Sequence, residues 1–141
     1  MSHSRILVAV SSPWASEKQA EVVADLASRL DAEAVVVHVA QVRDEDDDES
    51  DSRQRGEQTL NLLTEALKQA GVQADGLMLF SADAAKAILS TANARRCTLI
   101  VIGASQKGKV KRMFGGDLPH TIAQHTKIPV MILPVDWSGT V

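Results

Sequence analysis

The sequence predicts an α/β domain of three layers. A doubly wound, five-stranded parallel sheet ordered 3-2-1-4-5 lies between layers made of four helices. Three observations carry this reading. The runs Arg5 to Val10, Ala34 to Ala40 and Thr98 to Ile102 are nearly continuous branched apolar stretches, as strands covered on both faces require. Segments of helical periodicity separate them, so strand and helix alternate along the chain. Turn residues follow the first and fourth strands, at Ser11-Ser12-Pro13-Trp14 and in the loop beginning at Gly103. That places the reversal of strand order, where such sheets hold their ligands, between those two strands.

Taken in order, Arg5 to Val10 is the central strand. Ser16 is positioned to cap a first helix in which Ala20, Val23, Ala27 and Leu30 recur on one face, with Glu17, Lys18, Glu21 and Asp25 outside. Ala34 to Ala40 is the second strand, reached by a right-handed crossover. Residues 41–55 then turn acidic, through Asp44-Glu45-Asp46-Asp47-Asp48-Glu49-Ser50-Asp51, and read as a mobile, solvated loop. Asp44, Asp46 and Asp48 have the alternation of a calcium loop. Glu49 holds the position that needs Gly, however, and Arg55 the one that needs Glu, so no metal is expected. From about Gly56 to Ala70 a second helix presents Leu60, Leu63, Leu67 and Ala70, and Gly71 closes it. Ala74 to Phe80 alternates more than the other strands and suits a sheet edge. Ser81 or Asp83 caps a third helix with Ala85, Ile88, Leu89 and Ala92 inward. Thr98 to Ile102 is the fourth strand. A short fourth helix from Asp117 carries Leu118, Ile122 and His125, and Pro129 to Leu133 is the last strand.

Composition narrows the function. At 141 residues the chain reads as one domain, residues 1–141, with a core sufficient without metals or disulfides. Two Phe, two Trp and no Tyr offer little for stacking bases, and a formal charge of -3 does not favour a phosphate backbone, so nucleic acid is not an expected partner. No stretch approaches the roughly 18 apolar residues of a membrane span. The single Cys97 cannot form an internal disulfide, and the start of the chain lacks a signal-peptide pattern, which suits the cytoplasm.

The loop after the fourth strand is the candidate site, since a glycine-rich turn entering a helix gathers free N–H groups that attract anions. Gly103-Ala104-Ser105-Gln106-Lys107-Gly108-Lys109-Val110 fits G-x-x-x-x-G-K, with Val110 where Ser or Thr would hold Mg²⁺. A slow phosphohydrolase depending on Lys109 is the reading this template allows. A second template covers more residues. Arg5 to Val10, Val35 to Val39, Gly103, Lys111-Arg112, Gly116 and Pro129 to Leu133 together resemble the universal stress protein family over nearly the whole length.

That resemblance implies the same strand order, a nucleotide cleft beside the first and fourth strands, and a dimer through the last strand. In the family's nucleotide-binding members an Asp after the first strand contacts the nucleoside, and a G-x-x-G-x₉-G-[ST] signature wraps the phosphates. Here Ser11 stands in place of the Asp, Gln106 in place of the second Gly, and Asp117 in place of the final hydroxyl, while Gly103 and Gly116 are kept. The cleft residues are thus Ser11, Val39, Gly103, Gln106, Gly108, Gly116 and Asp117. Asp117 can act as a built-in anion substitute, capping the helix with the carboxylate that displaces a phosphate. Lys107, Lys109, Lys111 and Arg112 retain some attraction for a phosphate anion.

Catalytic residues are not apparent. His3, His38, His120 and His125 are scattered; His38 reads as a satisfied core residue, and the spacing of His120 and His125 does not place both on one helix face for a metal. No nucleophile elbow surrounds Ser11-Ser12. The uncharged last strand would be exposed at a sheet edge, and antiparallel pairing with a second copy through Val130, Met131, Ile132 and Leu133 would cover it. The alternative cover is the tail from Asp136. The expected function is a non-enzymatic, dimeric stress-response or regulatory module with a degenerate nucleotide cleft, needing no cofactor and acting on an unidentified protein partner. The alternative is a sensor that binds ATP or AMP.

Overall fold

The computed structural model describes residues 3–11, 13–40, 49–103, 118–134, 136, 137, 139 and 141. The elements in chain order are β1 (Arg5–Ala9), α1 (Pro13–Leu30), β2 (Glu33–Ala40), α2 (Glu49–Gln69), β3 (Ala74–Phe80), α3 (Ala84–Ala94), β4 (Leu99–Gly103), α4 (Leu118–Gln124) and β5 (Val130–Leu133). The strands form one sheet ordered β3-β2-β1-β4-β5, every neighbouring pair parallel, as expected.

The two faces of the sheet explain why its central strands are apolar throughout. On β1, Ile6 and Val8 join Val22, Val23, Ala27, Leu60, Leu63 and Leu67 in a core under α1 and α2. Leu7 points the other way, into a second core with Ile88, Ala92 and Ile122 from α3 and α4. All three β1 residues have no exposed surface, because a side chain on either face meets a helix layer. β3 lies at one edge, and its residues Asp75, Gly76 and Phe80 are exposed.

Several boundaries differ from the sequence expectation for local reasons. α1 starts at Pro13, a residue suited to the first turn because it has no N–H to leave unpaired. Ser16 is therefore inside the helix rather than its cap, and its buried hydroxyl donates to the Thr59 carbonyl at 2.6 Å, joining α1 to α2. Leu30, in the last position of α1, is 44% exposed rather than inward. Thr98 precedes β4 instead of starting it; its hydroxyl accepts from Arg5 N at 2.9 Å, and its own N–H donates to Arg5 O at 2.7 Å. Asp83 caps α3 as expected, accepting from Lys86 N at 3.1 Å.

The largest difference concerns α2. The acidic loop expected over 41–55 is helical from Glu49, and residues 41–48 lie outside the described ones. Gly56, the expected start of this helix, lies inside it, although Gly weakens helix interiors. Its real role is packing: a Cβ there would lie 2.6 Å from Met78 Cε and 2.8 Å from His38 Cδ2. The first turns of α2 are also tied to β3 by the Arg53 guanidinium, 5.3 Å from the centre of the Phe80 ring. Gly71, at φ 86°, closes the helix as its sequence position indicated.

Gly56→Ala should consequently lower stability by about 1–2 kcal/mol, since displacing Met78 and His38 outweighs the gain of roughly 1 kcal/mol in helix propensity. The His38 ring is held by a hydrogen bond and cannot simply rotate away. A urea midpoint that rises in this variant would contradict the packing account.

At the opposite edge β5 has no outer neighbour in the sheet among the described residues. The tail bends toward α1 instead: Trp137 packs against the first core, and its carbonyl accepts from Lys18 Nζ at 2.6 Å. Among the described residues no backbone hydrogen bond joins the tail to the free edge of β5. Leu133 is buried in the first core, Val130 and Met131 are half-buried, and Ile132 is 45% exposed.

Candidate functional site

The carboxyl ends of β2, β1 and β4 lie side by side, with Ala9 in register with Val37 on one side and Ile102 on the other. Elements α1 and α2 cover one face and α3 and α4 the other, so the helices that follow β1 and β4 lie on opposite faces, the switch-point arrangement at which doubly wound sheets form a ligand crevice. Val10 N donates to Val37 O at 3.0 Å, extending the pairing one residue beyond β1 and delivering an exposed Ser11 to the rim. Gly103 ends β4 on the other side of the crevice, and a half-buried Val39 lies near the end of β2. Three of the expected site residues, Ser11, Val39 and Gly103, are thus brought to one end of three neighbouring strands. Gln106, Gly108, Gly116 and Asp117 lie outside the described residues, as do Lys107, Lys109, Lys111 and Arg112.

One residue at this end was not expected. Gln19, on α1, is 5% exposed, and its side-chain oxygen is buried with no hydrogen-bond partner among the described residues. A Cβ at Gly103 would lie 3.0 Å from Gln19 Nε2, so the amide packs over the end of β4 where the absent side chain leaves space. The signal lay in helical spacing: Gln19 precedes Val22 and Val23 by three and four residues and shares their inward face. A polar residue on an apolar stripe marks a buried polar contact.

The remaining candidates have structural roles. His38 Nδ1 donates to Val10 O at 2.9 Å, since a carbonyl can only accept, and the half-buried ring fits the satisfied core reading. His120 and His125 are exposed, and His125 Nδ1 donates to Thr121 O at 2.8 Å. Cys97 is 6% exposed, and burial raises its thiol pKa despite the opposing charges of Arg5 and Arg95, which disfavours the nucleophilic thiolate.

A small polar cavity of about 110 Å³ lies at the other end of the sheet, lined by Arg5, Glu33, Asp75 and Arg95 among others. Its arginines are already engaged. Arg5 donates to Glu33 Oε2 at 2.9 Å from Nη2, and Arg95 donates to Asp75 Oδ2 at 3.0 Å, so the pocket carries no surplus positive charge for an anion. Among the described residues no helix is long and apolar enough to cross a membrane.

Comparison with known proteins agrees with this architecture. The model of the universal stress protein family matches residues 3–134. No curated protein matches the chain. Among solved structures, a protein of that family from Burkholderia pseudomallei is similar at 23% identity and a TM-score of 0.73, covering 94% of this chain and 97% of that one. The universal stress protein from Archaeoglobus fulgidus in complex with dAMP is similar at 21% identity and a TM-score of 0.69, with 94% and 98% covered. A universal stress protein family protein from Arabidopsis thaliana with AMP bound is similar at 17% identity and a TM-score of 0.61, with 93% and 90% covered. At these identities the likeness is one of fold.

Proposed function

The chain belongs to the universal stress protein family, and from that premise we propose that it is a non-enzymatic stress-response module of the cytoplasm that binds an adenosine monophosphate in the β1–β4 crevice and works as a homodimer. The observation that carries this reading is the convergence of Ser11, Val39 and Gly103 at the switch point of the sheet, where a doubly wound fold binds its ligand. Two structures with this fold hold dAMP and AMP, which supports a nucleoside monophosphate as the ligand class.

The sequence of the loop argues for a short phosphate tail. Asp117 occupies the position where the family signature has the hydroxyl that receives phosphate, and Gln106 the position of a Gly that permits close backbone approach. A triphosphate brings more negative charge against that carboxylate than a monophosphate does, so affinity should fall from AMP to ATP. Lys107, Lys109, Lys111 and Arg112 offset part of the repulsion without selecting a base. The free edge of β5, with Ile132 exposed, supports pairing of two copies through the last strand. A protein partner would read the occupied dimer.

Calorimetric titration with AMP and with ATP, with and without Mg²⁺, tests this function. Saturation by AMP, weaker binding of ATP and no phosphate release are expected. Tighter binding of ATP with phosphate release that disappears in Lys109→Ala would favour the phosphohydrolase reading instead. Absence of saturation by either ligand below millimolar concentration would leave a regulatory module without a nucleotide.

A further inference from the structure

Among the described residues at this end of the sheet, Gln19 is the one whose side-chain chemistry is unfinished. Its side chain is almost wholly removed from solvent, yet its Oε1 meets no donor among the described residues. Leaving a buried amide oxygen unpaired is costly, and folded proteins rarely do so without a reason. The position is specific too. The amide rests above the last residue of β4, in the space opened by Gly103, where any side chain would crowd Nε2 from 3.0 Å. Two other buried side-chain oxygens among the described residues make no hydrogen bond, but they lie elsewhere: Asp25 Oδ2 is ion-paired with Arg29 Nε at 3.1 Å, and Thr64 Oγ1 lies under Gly76 on the far edge strand.

We propose that Gln19 is a ligand-reading residue of the crevice, its carboxamide oxygen accepting a hydrogen bond from a donor on the nucleoside half of the bound nucleotide. This rests on the nucleotide reading above and adds to it the group that recognises the nucleoside. A phosphate cannot be the partner of this oxygen, because an ionised phosphate oxygen offers no hydrogen and repels the amide dipole. The partner must carry O–H or N–H. In an adenosine nucleotide the ribose hydroxyls and the exocyclic amino group of the base meet that requirement. Gly103 then has a defined role: it leaves room for the amide that reads the ligand.

The test measures the affinity of wild type, Gln19→Met and Gly103→Ala for AMP and for three analogues that each lack one donor: 2′-deoxy-AMP, 3′-deoxy-AMP and inosine monophosphate. Wild type should bind one analogue about tenfold more weakly than AMP, which identifies the donor as a ribose hydroxyl or the amino group. Gln19→Met, which conserves volume but has no acceptor oxygen, should bind AMP about tenfold more weakly and lose that discrimination. Gly103→Ala should move affinity the same way by displacing the amide, and its effect should not add to that of Gln19→Met. It also supplies a second variant should Gln19→Met not fold. Discrimination that survives in the folded Gln19→Met protein, or an equal loss for all four ligands, would overturn the role of Gln19 while leaving nucleotide binding standing. Failure of wild type to bind any of the four would remove the nucleotide reading itself, and this inference with it.

Discussion

Asp117→Ser should tighten ATP binding by up to roughly a thousandfold. A carboxylate about 4 Å from a phosphate oxygen is opposed by about 4 kcal/mol per charge pair at an effective dielectric near 20, and the substitution removes that term while restoring a donor. The gain should be smaller for AMP, which brings a single phosphate. It should also shrink as salt rises, since part of the repulsion acts through solvent. Ser caps a helix about as well as Asp, so the melting temperature should stay nearly constant and the change should appear in affinity alone. Titration calorimetry at two salt concentrations reads both effects, and unchanged ATP affinity would remove the idea that this carboxylate stands in for the ligand's charge.

The second large effect is expected at the other end of the chain. Ile132→Lys should turn a dimer into a monomer, weakening association by roughly a thousandfold or more. Ile132 is the exposed apolar residue of β5, whereas Leu133 beside it is buried in the core of its own copy. Two-fold pairing places the substitution in the interface twice, and a buried, unpaired ammonium costs about 3–5 kcal/mol. Because Ile132 does not belong to either core, the monomer should keep its fold, so circular dichroism should be unchanged. Sedimentation at micromolar concentration distinguishes the outcomes. A wild-type monomer, or a lysine variant that still dimerises, would mean that β5 is not the contact.

These expectations draw on different levels of information. The strand order was legible because it follows from local chemistry: Ile6, Leu7 and Val8 could only belong to a strand covered on both faces, and turn residues after two particular strands located the switch point. The caps whose partners lie within a few residues were legible as well, as with Asp83 and Gly71. The start of α2 was not. Gly56 looks like a helix breaker until Met78 and His38 are seen to leave no room for a side chain, and those neighbours come from strands β3 and β2. Ser16 was misread for a similar reason, since its hydroxyl serves Thr59 in the next helix rather than the end of its own.

The candidate site divides the same way. The sequence by itself determined the family, the alternation of strand and helix, and the departures at Ser11, Gln106 and Asp117, because residue identity and spacing along the chain suffice for these. Ser11, Val39 and Gly103 were expected to share the cleft and do lie at one end of the sheet, but only the tertiary structure decided that Gln19 turns inward over Gly103 with an oxygen unpaired. The physical reason is that burial, and the pairing of a polar atom, depend on neighbours from distant segments. Gln19 and Gly103 are 84 residues apart in the chain and meet only because α1 packs across the end of β4.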